Sequence, residues 1–331
     1  MHKTLRFVCI LIGLAAGTCL SGCNAEKVLN EMAGRAKQAP AGDKAPAGDR
    51  TPLPSQPGAA DGQTIKIASF NIQVFGTSKM AKPEVMDVLA KVVRRFDLVA
   101  IQEVRSKDQT VVPRFAELVN AAGRRYGYVV GPRLGRTSSK EQYVFLYDTD
   151  RIELDQGSVH TPADPQDLLH REPLVARFRV RGPPQQAFSF KLVNIHTDPD
   201  ETDTELDALA DVFAAVQRER DGEDDVILLG DLNVDDRHLG RLGQLPGIAW
   251  TVSGQMTNTR RNHAYDNIVF DRRATTEYTG YWGVLDLMAE FGLSAEQALA
   301  VSDHLPVWAQ FRAVETGAAA EVASRPEPTP R

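Results

Sequence analysis

Val226-Ile227-Leu228-Leu229-Gly230-Asp231-Leu232-Asn233 sets a short aliphatic run against a glycine and two polar residues that follow at once. Its length and β-branched content suit a strand, and the Gly, Asp and Asn mark where that strand stops. Ile65 to Phe70, Leu98 to Gln102, Tyr143 to Tyr147, Phe188 to Ile195, Asn267 to Phe270 and Val307 to Phe311 have the same character, so at least seven strands are expected. Helical spacing appears between them. Pro83 stands where a first turn would start, and Val85, Val88, Leu89, Val92, Val93 and Phe96 follow on one face. A second helix is expected from about Pro113 to Ala122, stopping at Gly123, and a third carries Leu206, Leu209, Phe213 and Val216. No period of 20 to 50 residues recurs, which excludes a solenoid, and sheets covered by helices are the expected layers.

The chain has 331 residues, 42% hydrophobic and 25% charged, enough to bury a sizeable core. Its net charge of −6 argues against a polycation that coats nucleic acid or anionic lipid, while leaving room for a local basic groove. Residues 1–22 read as an export signal: Lys3 and Arg6, an apolar stretch from Phe7 to Leu20, then Ser21 and Gly22. Leu20-Ser21-Gly22-Cys23 resembles a bacterial lipobox, in which cleavage leaves a lipidated Cys23 as the new N-terminus. Cys9 and Cys19 would go with the signal, so the mature chain would hold no disulfide. Residues 23–63 are rich in Ala, Pro, Gly and Asp, repeat APAGD, and read as a disordered tether. Residues 314–331 read as a disordered tail. Residues 64–313 remain as one α/β domain.

Polar residues gather at the strand ends. Asn71 follows the first strand, Glu103 the second, His196 the Phe188 to Ile195 run, and Asp231 with Asn233 the Val226 to Leu229 run; Asp303 and His304 precede the last strand. Any one Asp or Asn after a strand is more often a turn former. Together they suit metal-assisted hydrolysis of a phosphate ester on one rim of a sheet. Asn71, Glu103, Asp231, Asn233 and Asp303 are hard oxygen donors suited to Mg²⁺ or Mn²⁺. The lack of cysteine ligands and of a HExxH helix argues against zinc. His196 and His304 could act as base and acid if carboxylates orient them, and Glu141 and Asp266 are candidates.

The order of these motifs resembles deoxyribonuclease I within the endonuclease/exonuclease/phosphatase superfamily. Ser69-Phe70-Asn71-Ile72-Gln73-Val74-Phe75-Gly76, Ile101-Gln102-Glu103-Val104-Arg105, Lys140-Glu141-Gln142-Tyr143, His170-Arg171-Glu172-Pro173, Asn194-Ile195-His196, Gly230-Asp231-Leu232-Asn233, Ala264-Tyr265-Asp266-Asn267 and Ser302-Asp303-His304-Leu305-Pro306 follow in the family's sequence. The GDxN and SDH blocks belong to the whole superfamily. Arg105 after QEV, the KEQY block and the HREP block are particular to the deoxyribonuclease branch.

The resemblance implies a four-layer sandwich, two packed mixed β-sheets flanked by helices. It implies metal binding by Glu103, Asn71, Asp303 and Asp231, with Asp231 and Asn233 also near the scissile phosphate. It pairs Glu141 with His196 and Asp266 with His304, with His304 favoured as base and His196 as acid, and it gives Arg105 a minor-groove contact and Arg171 a backbone phosphate. Departures accompany it. Ser139 stands where the family has a DNA-stacking Tyr, His263 where it has a disulfide Cys, and no Asp/Thr-rich calcium loop is evident in Thr251 to Arg261, so structural Ca²⁺ is not expected there. The expected protein is a monomeric, lipid-anchored, Mg²⁺-dependent endonuclease of double-stranded DNA in the bacterial cell envelope. A phosphodiesterase or phosphatase acting on a lipid or inositol phosphate is the alternative, and a binding module without turnover the third.

Overall fold

The computed structural model describes residues 63–316; the expected signal peptide, Cys23 and nearly all of the tether lie outside that range. In chain order the strands are β1 (Thr64–Phe75), β2 (Leu98–Val104), β3 (Tyr126–Val130), β4 (Gln142–Asp148), β5 (Ile152–His160), β6 (Leu174–Val180), β7 (Ser189–His196), β8 (Val226–Asp231), β9 (Ile248–Trp250), β10 (Asp266–Asp271), β11 (Tyr278–Val284) and β12 (Val307–Arg312). The helices are α1 (Thr77–Met80), α2 (Pro83–Val93), α3 (Val111–Asn120), α4 (Thr202–Gln217), α5 (Gly240–Gln244), α6 (Leu287–Phe291) and α7 (Ala295–Val301).

Two six-stranded sheets form, in the orders β11-β12-β1-β2-β4-β3 and β5-β6-β7-β8-β10-β9. They repeat one plan. Each has a parallel pair at its centre, β1 with β2 and β7 with β8, and antiparallel strands on either side. Alternation along β1 explains how the sheet is covered on both faces. Ile65 and Ile67 join the core shared with the second sheet, while Ala68 and Phe70 join a core with the apolar faces of α2 and α3. Leu206, Leu209, Phe213 and Val216 of α4 pack on the outer side of the second sheet. The result is helix, sheet, sheet, helix, as expected from the motif order.

The inner alternation of β1 continues as Ser69 and Asn71, so the apolar interior ends in a polar layer at one rim. There Gln102 Nε2 donates to Ser69 Oγ at 3.0 Å and to Asn194 Oδ1 at 2.7 Å, and Asn194 Nδ2 donates to the Ile101 and Val144 carbonyls at 3.2 Å each. These bonds tie the two sheets together directly beneath the site, where an unpaired buried amide would be costly. At the other end the domain runs past residue 313. Val314 bridges Ala187, and Glu315 and Thr316 donate their N–H groups to Gln186 and Glu277, so the expected tail begins later than residue 314.

Candidate active site

Both central parallel pairs deliver polar side chains to the same rim. Asn71 lies near the end of β1 and Glu103 near the end of β2; in the other sheet His196 and Asp231 are register partners across β7 and β8, and Asp231 faces Asp266 across β8 and β10. Close parallel packing here requires glycine at 230, because a Cβ would sit 1.8 Å from the Ile195 carbonyl oxygen. Alternation would turn Glu103 away from Asn71. A left-handed backbone at Glu103 (φ 61°) and a bulge between Asn71 and Phe75 break that alternation, and Asn233 is also left-handed (φ 52°). Non-glycine residues in that conformation cost free energy and collect at functional sites.

Two imidazoles are each backed by a carboxylate. His196 Nδ1 lies 2.9 Å from Glu141 Oε2, and His304 Nδ1 lies 2.9 Å from Asp266 Oδ2. Both outer nitrogens then face one oxygen, with Asp231 Oδ2 at 3.5 Å from His196 Nε2 and 3.4 Å from His304 Nε2. Burial works against a charged His196, but the Glu141 hydrogen bond and the Asp231 and Glu141 charges more than offset it and raise its pKa. The same competition at His304, with Asp266, Asp231 and Asp303 nearby, ends well above the ordinary value. Glu141 is pulled down: burial is outweighed by the bond and charge of His196 and by Arg171 and Arg105. Asp266 is raised by complete burial and the Asp231 charge.

Beside the histidines stands an acidic corner. Glu103 accepts from Asn71 Nδ2 at 3.2 Å and from the Val74 N–H at 2.7 Å, and Arg105 Nη2 lies 3.1 Å from its second oxygen. Asp303 Oδ1 is buried without a hydrogen-bond partner. An orphaned buried carboxylate oxygen fits a hard divalent cation. Asp231, Asp266 and His304 also bring ligand atoms within 4.8 Å of one another, although the bond between His304 and Asp266 gives that trio an acid/base geometry.

A protein-family model for the endonuclease/exonuclease/phosphatase family matches residues 68–304, which spans every one of these groups. The chain belongs to the endonuclease/exonuclease/phosphatase family. Within the family it is similar to deoxyribonuclease gamma of Rattus norvegicus, 33% identical over 74% of this chain and 83% of that protein. It is also similar to deoxyribonuclease-1 of Bos taurus, 34% identical over 74% and 92% respectively. A solved structure of a family protein from Bacteroides thetaiotaomicron shares the fold, with a TM-score of 0.53, 17% identity and coverage of 75% of this chain and 97% of that one.

Two residues that the family resemblance marked are also tied into the hydrogen-bond network around the site. Asn71 Oδ1 accepts the Gln73 N–H at 2.9 Å and its Nδ2 donates to Glu103 at 3.2 Å and to Asp231 at 2.9 Å, so it orients both carboxylates. Arg171 is only 5% exposed. Its Nε and Nη2 donate to the His196 carbonyl at 3.1 and 3.0 Å, and Nη1 lies 3.6 Å from Glu141, so it braces the Glu141 and His196 pair. Arg105, by contrast, is about a third exposed while bridging Glu103 and Glu141. Asn233 accepts no proton at the imidazoles; its N–H donates to Asp231 Oδ1 at 3.1 Å and its Nδ2 to the Thr197 carbonyl at 2.8 Å.

Four supporting groups complete the site, Tyr143 and Ser302 from inside the family motifs and Thr257 and Lys79 from outside them. Thr257 Oγ1 donates to Asp266 Oδ2 at 2.7 Å; Tyr143 Oη accepts the His196 N–H at 3.0 Å; Ser302 Oγ donates to the Asn71 carbonyl at 2.7 Å. Lys79 is buried, and its Nζ donates to the Ile72 carbonyl at 2.8 Å and the Val301 carbonyl at 2.7 Å, with burial pushing its pKa down to about 8 despite Asp303 and Glu103 nearby. No periodicity marks any of them. The Thr257 to His263 loop, without a disulfide, is held by the Thr257 and Asn258 N–H groups on the His263 carbonyl, and His263 stacks on Tyr265 at 5.1 Å.

Proposed function

We propose that this protein is a divalent-metal-dependent endonuclease that hydrolyses phosphodiester bonds of double-stranded DNA with little sequence preference. The observation that carries the reading is the facing pair of carboxylate-backed imidazoles, both aimed at the Asp231 oxygen. One imidazole takes the proton from the attacking water as the new P–O bond forms, and the other gives its proton to the leaving oxygen as the old P–O bond breaks. Glu141 and Asp266 hold each ring by Nδ1 and stabilise the cationic form, which leaves Nε2 to exchange the proton. Asp231, held by Asn71 and the Asn233 N–H, keeps the two Nε2 atoms on one target. Glu103 and Asp303 would hold the metal, with Mg²⁺ the favoured ion and Mn²⁺ next. Bound there, the ion would neutralise phosphate charge in the transition state. Arg105 supplies the exposed cation for the DNA groove.

The similarity to proteins named deoxyribonuclease over most of the chain supports the DNA substrate. The lipobox-like Leu20-Ser21-Gly22-Cys23 supports export and lipid anchoring in a bacterial envelope, testable by incorporation of labelled palmitate that Cys23→Ala abolishes. For the activity, the full chain is incubated with supercoiled plasmid in Mg²⁺, Mn²⁺ or EDTA beside the His196→Ala and His304→Ala variants. Nicking should need the metal and both histidines. No nicking with either ion overturns the DNA reading and directs the assay to phospholipid and inositol phosphate substrates.

A further inference from the structure

The rim opposite the active site carries a second set of converging carboxylates. Asp225 immediately precedes β8, whose other end holds Asp231, so the two are separated by about 20 Å of strand. Beside Asp225 lie Glu277, which precedes β11, and Glu315, which follows β12. Oxygens of the three lie within 4.8 Å of one another.

Most of their bonds are accounted for, and the unaccounted ones point to a ligand. Glu277 Oε1 accepts the Thr316 N–H at 2.6 Å and the Thr316 hydroxyl at 2.9 Å, and Glu315 Oε1 accepts the Ser189 N–H at 2.9 Å. Among the described residues, Asp225 Oδ1 and Glu277 Oε2 are buried and in no hydrogen bond of ordinary geometry, on side chains that are 4% and 1% exposed. The buried Thr275 hydroxyl is the hydrogen-bonding side chain next to Asp225 and works against the upward shift that burial causes there. The charges acting on Asp225 come from Glu277, Glu223 and Glu315, and those on Glu315 from Glu277, Glu223 and Asp224, all anionic. The Arg177 guanidinium lies 3.5 Å from Glu223, and Arg312 Nη1 donates to the Thr276 carbonyl at 3.3 Å. Burial of like charges pushes Asp225 up to about 9 and Glu315 up to about 7. Carboxylates in that state hold either protons or a cation.

We propose that Asp225, Glu277 and Glu315 form a second divalent-cation site, separate from the catalytic rim and selective for Ca²⁺. Three carboxylates on separate segments can supply the oxygen-rich, adaptable shell that Ca²⁺ accepts, whereas Mg²⁺ keeps most of its waters and gains less from them. The site fastens the C-terminal residues to the start of β8. It therefore acts on the stability of the fold and not on the chemistry.

The test is the melting temperature of the full chain at pH 7.5 in EDTA, in Ca²⁺ and in Mg²⁺, for the parent, Glu315→Gln and Asp225→Asn. At a Ca²⁺ concentration one hundred times Kd the parent should rise by roughly 5 °C or more, and more than in Mg²⁺. Both variants should lose that increment, and in EDTA they should melt no lower than the parent, because Glu315→Gln removes an uncompensated charge and Asp225→Asn replaces a carboxyl that burial already keeps protonated at this pH; this separates loss of the site from failure to fold. A Glu103→Gln chain, altered only at the catalytic rim, should keep the increment. An unchanged Ca²⁺ response in Glu315→Gln overturns the proposal. So does a parent that ignores Ca²⁺ while its melting temperature in EDTA falls as pH rises from about 5 to 9, because protons would then be holding the cluster.

Discussion

Glu141→Gln keeps the size of a buried side chain and removes one charge, which isolates what the carboxylate does for His196. The carboxylate contacts Nδ1 at 2.9 Å, and both groups are almost fully buried. With ~4 Å between charge centres and an effective dielectric of ~20, its attraction for the imidazolium is roughly 4 kcal/mol. A barrier raised by that amount slows the chemical step by about 10³. KM should change far less, since Glu141 is behind the histidine and does not face the substrate. The amide also turns an N–H group towards either His196 Nδ1 or the Arg105 and Arg171 guanidiniums, at a cost of about 1–3 kcal/mol in stability. Initial rates of plasmid nicking at saturating substrate, with a thermal melt of the same preparation, measure both effects. A folded Glu141→Gln protein that nicks within tenfold of the parent, with an unchanged pH profile, would refute the assignment of His196 as a carboxylate-supported proton carrier.

Thr257→Val leaves Asp266 without its 2.7 Å donor and the Tyr265 and Asp266 N–H groups without an acceptor, so it should lower stability by about 2–4 kcal/mol and slow nicking; melts and initial rates read both. Lys79 carries a pKa lowered to about 8 by burial, so the folded state resists the charge that the unfolded chain accepts. Stability in EDTA should therefore rise by roughly 3 kcal/mol between pH 8 and 10.5 through this group, as the charge is lost, and Lys79→Met should flatten that rise in chemical denaturation at each pH. Arg105→Ala should weaken DNA binding several-fold and reduce the slope of log K against log salt by about one, while an unchanged slope would place Arg105 off the backbone.

Most of the fold was legible because its central strands are buried on both sides. Six of the seven runs read as strands from their apolar content lie within observed strands and the seventh, Phe188 to Ile195, starts one residue before β7, while the helix faces carrying Val85 to Val93 and Leu206 to Val216 are buried as their spacing indicates. Some of the strands that escaped have surroundings that do not demand an apolar pattern, whereas β6 is largely buried but carries Arg177 and Arg179 within its run. β5 is an edge strand with exposed Asp155, Gln156 and Gly157, and β11 is interrupted by Gly280 and Gly283. Site residues at the ends of buried strands announced themselves by the abrupt change from apolar to polar. Their pairings did not, because Glu141 and His196 are 55 positions apart and only the fold brings them together. The orientation of Asn71 and Arg171 was equally hidden, because a backbone N–H on one and two carbonyls on the other fix which way each side chain faces. Thr257, Tyr143 and Lys79 act through two or three hydrogen bonds each to backbone or side chain, which leave no repeat in the sequence.

The first strand of the domain has the last one as its neighbour. β1 is held between β2 and β12, with Thr64 opposite Arg312 and Ser69 opposite Val307, and the loop that supplies Asp303 and His304 runs directly into β12. Order of synthesis therefore matters. A growing chain emerges with β1 lacking one of its two partners and with half of the proton-transfer pair missing, and both are completed only when the final 30 or so residues are made. On the proposed function, a truncated product that ends before residue 303 lacks one of the two imidazoles, so cutting is expected only once the domain has been translated to its end.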